Sequence, residues 1–378
     1  MSLPTFDPGF STEALTATYS AQSTVAAMLE FESALAMALA DVGLAPLDEV
    51  ERVAAACRTH VDEPETVLGS TWESGTPVIA LRAKVTSALD DGAARWFHTG
   101  ATSQDVIDTG QMLQARTALG SLDDLLVPLA RRLRDLTVRY RDQPQMGRTF
   151  LQDARPTTFG FRAATWLDSV MRCIADLRRE REGLVVQLGG PVGTVSGYGE
   201  AGPQVVARLA DRLGLGVPDI SWHTDRSRIS SLADALQRCA ATMSKIGSDV
   251  AILASSQIAE IAVRSGGSSS MPEKRNPIDA TRAVAAASAC SGAATMLRTT
   301  PPGVLDRGVG AWHVEWIALP LVFRTAGASI ESIGRCLDSL EVDEEAMGHR
   351  VEVDRSTLSG IVAPQIDAVL AAFDRLVG

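Results

Sequence analysis

The sequence predicts an all-α protein built as a bundle of long helices, on three observations. Hydrophobic residues make up 46% of the 378-residue chain but aromatics only 5%, with alanine, leucine and valine dominant, which suits helices packed on helices. Apolar residues recur at three- and four-residue spacing over tracts of about thirty residues, beyond the ordinary globular helix and typical of a bundle. The glycine-rich turn at 188–194 lacks the spacing of a nucleotide-binding loop, and no strand-like run precedes it. The length accommodates two or three domains. We place an N-terminal helical domain at 1–109, a central long-helix domain at 110–340 and a short C-terminal remnant at 341–378.

Taken in order, the first strong helix covers about 21–42. Met28, Phe31, Leu35, Ala38 and Leu39 form its stripe, Glu30, Glu32 and Asp41 are placed off it, and Gly43 ends it. Shorter helices broken by Pro64, Gly69, Gly75 and Pro77 follow. From 110 to 142 run Leu113, Leu119, Leu122, Leu126, Leu129, Leu133 and Leu136; Pro128 is expected to kink this helix without ending it. Further helices are expected at about 157–187, from the segment 221–228 to about 263, at 278–297 and at 317–339.

Charge and cysteine usage narrow the function. A net charge of -11 offers no basic field to nucleic acid or to an anionic membrane, so an anionic substrate must be held by local cations. The five cysteines are far apart, without a Cys-x-x-Cys pair or a histidine at metal-ligand spacing, which reads as free thiols in a reducing cytoplasm with no metal. The N-terminus lacks a signal-peptide pattern, and no stretch approaches eighteen uninterrupted apolar residues.

Three segments concentrate polar chemistry. The first, Gly266-Gly267-Ser268-Ser269-Ser270-Met271-Pro272-Glu273-Lys274-Arg275-Asn276-Pro277, separates two helical tracts and holds one of only three lysines in the chain. Its hydroxyls, lysine and asparagine suit carboxylate oxygens, although an exposed polar loop explains the same composition. The second, His98-Thr99-Gly100-Ala101-Thr102-Ser103-Gln104-Asp105-Val106-Ile107-Asp108-Thr109, opens a helix that Thr102 or Ser103 could cap, with Asp105 in the first turn. Capping leaves His98 without a role. The third is Gly147-Arg148-Thr149-Phe150-Leu151-Gln152-Asp153-Ala154-Arg155-Pro156. Beyond these, Arg226 and Arg228 lie two apart after Trp222-His223-Thr224, diverging by about 200° on a helix, so that at most one faces a given ligand.

In this order the segments resemble the signature regions of the fumarase/aspartase superfamily of lyases. The longer phrases, His98 to Thr109, Trp222 to Arg228 and Gly310-Ala311-Trp312-His313-Val314-Glu315-Trp316, are similar to its 3-carboxy-cis,cis-muconate cycloisomerase branch. The resemblance implies a homotetramer with a twenty-helix core, a small C-terminal domain truncated or absent here, and active sites each shared among three subunits. It makes Ser268 the base, with Lys274 and His98 beside it as catalytic residues. Thr102, Ser103, Gln152 and Asn276 then hold a small polycarboxylate, with Arg148 and Arg226 as further substrate contacts. No metal or organic cofactor is implied.

One departure restricts the chemistry. Most relatives carry a histidine where this chain has Phe150, paired with a glutamate thirteen residues beyond the loop serine, where this chain has Thr281. The usual histidine acid is therefore missing, as in the cycloisomerase branch, where an aromatic residue replaces it. The resemblance implies a lactonising addition converting 3-carboxy-cis,cis-muconate to 4-carboxymuconolactone in aromatic-acid catabolism. The alternatives are a β-eliminating lyase releasing fumarate from a substituted succinate with a good leaving group, such as nitrosuccinate, and a non-catalytic scaffold.

Overall fold

The computed structural model describes residues 7–58, 63–264, 266–267, 269–271, 273–300, 303–353 and 355–377. The N-terminal third folds into Glu13–Thr18 (α1), Ala21–Asp41 (α2), Leu47–Cys57 (α3), Pro64–Gly69 (α4), Thr71–Ser74 (α5), Val78–Thr86 (α6) and Asp91–Ala94 (α7). α2 starts where the Ser20 hydroxyl accepts the Ser23 N–H at 3.1 Å. It stops as expected at Gly43, whose φ of 75° suits glycine. One expectation for this helix fails: Glu32 is 1% exposed. α2 buries Met28, Leu29, Phe31, Ala34, Leu35 and Ala36, so its buried surface is broader than one stripe and takes in Glu32.

Five long helices make the bundle: Ser103–Arg139 (α8), Phe159–Glu182 (α9), Ser227–Leu253 (α11), Ile278–Thr299 (α12) and Ala311–Asp338 (α13), with Gly202–Leu213 (α10) between the second and third. α8 begins at Ser103, earlier than its leucine pattern suggests, because the Thr102 N–H donates to the Asp105 carboxylate at 2.9 Å and holds the first turn. It continues through Pro128.

Cross-contacts fix the directions. Arg178 late in α9 pairs with Asp123 of α8, and Gln187 beyond α9 bonds Thr109 near the start of α8, so α9 runs back along α8. The Trp166–Asp249 and Ser231–Glu180 hydrogen bonds turn α11 against α9. The Arg298–Asp234 pair turns α12 against α11, and Arg335–Asp279 turns α13 against α12. This up-and-down order gives the bundle two ends.

Between α8 and α9 lies a hairpin that the sequence did not announce: Pro144–Thr149 (β1) and Gln152–Thr158 (β2), antiparallel with Thr149 opposite Gln152. Its strands are mostly polar, with no two-residue alternation to mark them. The register slips at Gly147, where a Cβ would lie 2.6 Å from the Arg155 carbonyl oxygen. A two-residue strand pair, Ile261–Ala262 (β3) with Glu341–Val342 (β4), sits near the same end, followed by Glu344–Gly348 (α14) and Arg355–Leu376 (α15).

One hydrophobic core runs through the bundle, and a second surrounds α2 and takes in Val205, Leu209 and Leu213 of α10. Among the described residues two helical segments, Ala21–Asp41 and Ser356–Leu376, reach a mean hydropathy of 1.3, long and apolar enough by composition to cross a bilayer. The first is a core helix, and the second buries Val362 and Ile366 against Ala164 of α9. All five cysteines are free and buried.

Candidate active site

At one end of the bundle the start of α8 meets the glycine-rich turn. Asp105, fully buried, is the hub. Its carboxylate accepts the N–H groups of Thr102, Gly189 and Gly190, each at 2.9 Å, and lies 2.7 Å from Nε2 of His223. Gly190 has φ of 70°, and a Cβ there would come 2.7 Å from the Gly100 oxygen, so the turn needs glycine to let two backbones meet. The result is a rigid shelf carrying His98, Thr102 and Ser103, all half-buried.

His98 itself has φ of 62°, and its Nδ1 lies 2.6 Å from Oε1 of the buried Glu32. Burial lowers the imidazole pKa, but the Glu32 hydrogen bond and charge and the more distant Asp105 outweigh it, and the net direction is upward.

Arg226 does not present itself to a ligand. It makes paired hydrogen bonds to Asp108 at 2.8 and 3.0 Å, bonds both oxygens of Glu315, and stacks on Trp222 at 4.8 Å. Trp312 Nε1 donates to the same Asp108 at 2.8 Å. The expected substrate contact therefore gives way to a buried tie between α8, α11 and α13, because two carboxylates satisfy the guanidinium. The two carboxylates also hold that guanidinium charged against the opposing effect of burial, while burial raises the Glu315 carboxyl with Arg226 resisting.

The other predicted residues gather at the opposite end. Arg148, on β1, is paired with Glu260 and with Asp153 at 3.2 Å. Glu260 also accepts from Gln145 at 2.7 Å, so it ties the hairpin to the stem of the 266–277 loop. Arg148 is thus committed within the chain, as Arg226 is. Gln152 is exposed beside the hairpin tip, where Phe150 and Leu151 both take left-handed φ, 50° and 61°, and are 99% and 69% exposed.

In the loop, the Gly266 N–H donates to the Asn276 oxygen at 3.2 Å and closes the neck. Asn276 is half-buried there, and Lys274 is exposed with no ion pair to a described residue. Ser268 lies outside the described residues. Thr281, at the missing glutamate's position, is exposed and donates to the Pro277 oxygen at 3.0 Å.

The two groups are separated by the length of α8, whose 37 residues at 1.5 Å each span about 55 Å. Within one chain, His98, Thr102 and Ser103 cannot act on the same small molecule as Gln152, Lys274 and Asn276. Glu32, Asp108 and Glu260 do not stand out in the sequence as site residues, and Asp105 stands out only as a first-turn acid. For Glu32 a signal existed: it stands four residues after Met28 and three before Leu35, on the apolar face. The other three acids sit in or beside the motif segments, with nothing local to separate structural from catalytic polarity.

A family model described as lyase matches residues 9–291. The chain belongs to the fumarase/aspartase superfamily. Within these lyases it is 38% identical over 351 residues to the 3-carboxy-cis,cis-muconate cycloisomerase of Pseudomonas aeruginosa, covering 90% of this chain and 76% of that protein. It is 34% identical over 362 residues to a nitrosuccinate lyase of Streptomyces davaonensis, covering 92% and 76%. The crystal structure of a 3-carboxy-cis,cis-muconate lactonizing enzyme from Pseudomonas putida matches with a TM-score of 0.86 at 29% identity, over 97% of this chain and 88% of that one. The fold described above is therefore shared with that enzyme over nearly the whole chain.

Proposed function

We propose that the chain cyclises 3-carboxy-cis,cis-muconate to 4-carboxymuconolactone, as a homotetramer in the cytoplasm. The observation that carries this reading is the 38% identity to a 3-carboxy-cis,cis-muconate cycloisomerase over 90% of this chain, and Phe150 and Thr281 at the positions of the leaving-group acid and its partner agree with it. An intramolecular addition expels no group, so it needs no such acid.

One carboxylate oxygen of the substrate attacks the β carbon and forms the ring C–O bond. The displaced π electrons move onto the carboxylate attached to the α carbon as an aci-carboxylate. Ser268 delivers a proton to the α carbon and regains one from solvent. The dianionic intermediate needs donors already in place, and Lys274, Asn276, Thr102, Ser103 and Gln152 are the groups we assign to that task. The same lysine favours the ionised serine when the reaction runs in reverse.

The separation of the two groups along α8 supports assembly of each site from several copies, with the residues at the start of α8 and those of the hairpin and 266–277 loop supplied by different chains. A second reading, β-elimination of a good leaving group such as nitrite, is favoured by the same missing acid. The test offers the purified protein 3-carboxy-cis,cis-muconate and, separately, nitrosuccinate and other substituted succinates. Loss of diene absorbance with lactone formation is the expected result; fumarate release with untouched muconate replaces it with the elimination.

A further inference from the structure

Glu32 is a carboxylate in the middle of α2, with a side chain 0% exposed. Its Oε1 lies 2.6 Å from Nδ1 of His98, while Oε2 is buried without a hydrogen-bond partner. A buried carboxylate with one oxygen unserved depends on its single contact for compensation. That contact is His98, whose ring is 15% exposed and whose Nε2 bonds no described residue. The left-handed backbone at His98 is a strained conformation for a non-glycine residue, of the kind kept where its surroundings require it. We propose that Glu32 is a positioning residue that holds His98 as an imidazolium, leaving Nε2–H as a charged donor to a carboxylate of the substrate. This deepens the functional reading above and rests on it for the identity of the ligand.

The surroundings of the pair agree with a cation at His98. Asp105 of α8 adds negative charge and Arg82 of α6 opposes it, with the net direction upward for the imidazole. On the other side of Glu32, burial and that carboxylate push the Cys57 thiol of α3 up to about 12. Tyr198, which donates to the Thr99 oxygen at 2.8 Å, is raised by burial and by Asp105 and Glu32. An imidazole with a raised pKa is fully protonated below its ordinary value and loses that charge only as the pH climbs through the raised one. The donor's contribution to turnover is therefore lost on the alkaline side.

The experiment is a heteronuclear NMR titration of the histidine side chains in the intact protein, with pH profiles of kcat/KM. There are five histidines, and His98→Asn assigns the resonance while keeping a residue that tolerates left-handed φ. In the wild type, His98 should titrate above an ordinary imidazole; titration at or below the ordinary value overturns the proposal and needs no Glu32 variant. In Glu32→Gln the pKa should fall and the alkaline limb of kcat/KM should move down with it, costing about tenfold at alkaline pH for each pH unit moved, with recovery on acidification. A pH-independent loss, or an unmoved His98 resonance in a folded variant, overturns it as well. If muconate is not turned over at all, the functional reading fails, while the titration still decides the pair.

Discussion

Ser268→Ala removes one hydroxyl, and with it the proton carrier assigned above. We expect kcat to fall about 10^3-fold or more with the assembly intact by light scattering; near-normal turnover removes Ser268 from the chemistry. Arg226 makes the opposite prediction. Deleting one member of a buried ion cluster leaves the others uncompensated, so Arg226→Ala should destabilise the chain by about 3–5 kcal/mol in denaturant unfolding. Its KM should change little in protein that remains folded. A large rise in KM at unchanged stability would return Arg226 to the substrate. At this scale the motif letters identify which residues are polar and close in sequence, but Arg148 and Arg226 show that they do not say whether a guanidinium faces a ligand or a carboxylate of its own chain.

The hairpin is the element whose form most exceeds its sequence. Its tip uses two left-handed residues in succession, a turn that normally selects Asn-Gly, and has Phe150 and Leu151 instead. Each non-glycine residue there costs about 1–2 kcal/mol, so the double change Phe150→Asn, Leu151→Gly should raise the melting temperature. Activity should fall at the same time if the tip reaches into another copy's site. An unchanged melting temperature refutes the strain, and unchanged kcat/KM refutes the role of the tip. The helices, by contrast, mostly follow their apolar periods, since each buries a continuous face; α11 is the exception, stopping at Leu253 where an end near 263 is expected, because Ser255-Ser256-Gln257 interrupts its apolar face. α2 buries more than its expected stripe, taking in Leu29, Ala34, Ala36 and the charged Glu32, because neighbouring elements cover it on more than one side.

For the whole molecule, the separation along α8 makes a mixing experiment decisive. Ser268→Ala and His98→Asn, each weak or inactive alone, should regain activity when dissociated and reassembled together. With random mixing, about a quarter of the sites receive both wild-type residues. No recovery at a verified mixed assembly argues against sites shared between chains.

The all-α class, the approximate positions of the long helices, the superfamily and the absence of the histidine acid are legible in the letters alone. Those properties are written in local periodicity and in contiguous motifs, which survive without knowledge of what packs where. Packing alone sets the two ends of the bundle, the Asp105 hub, the capture of Arg226 and Arg148 by buried carboxylates, and the pairing of Glu32 with His98 across 66 positions of sequence. Whether a charged side chain meets water, a substrate or another charge depends on desolvation by residues distant along the chain, and only folding brings those residues together.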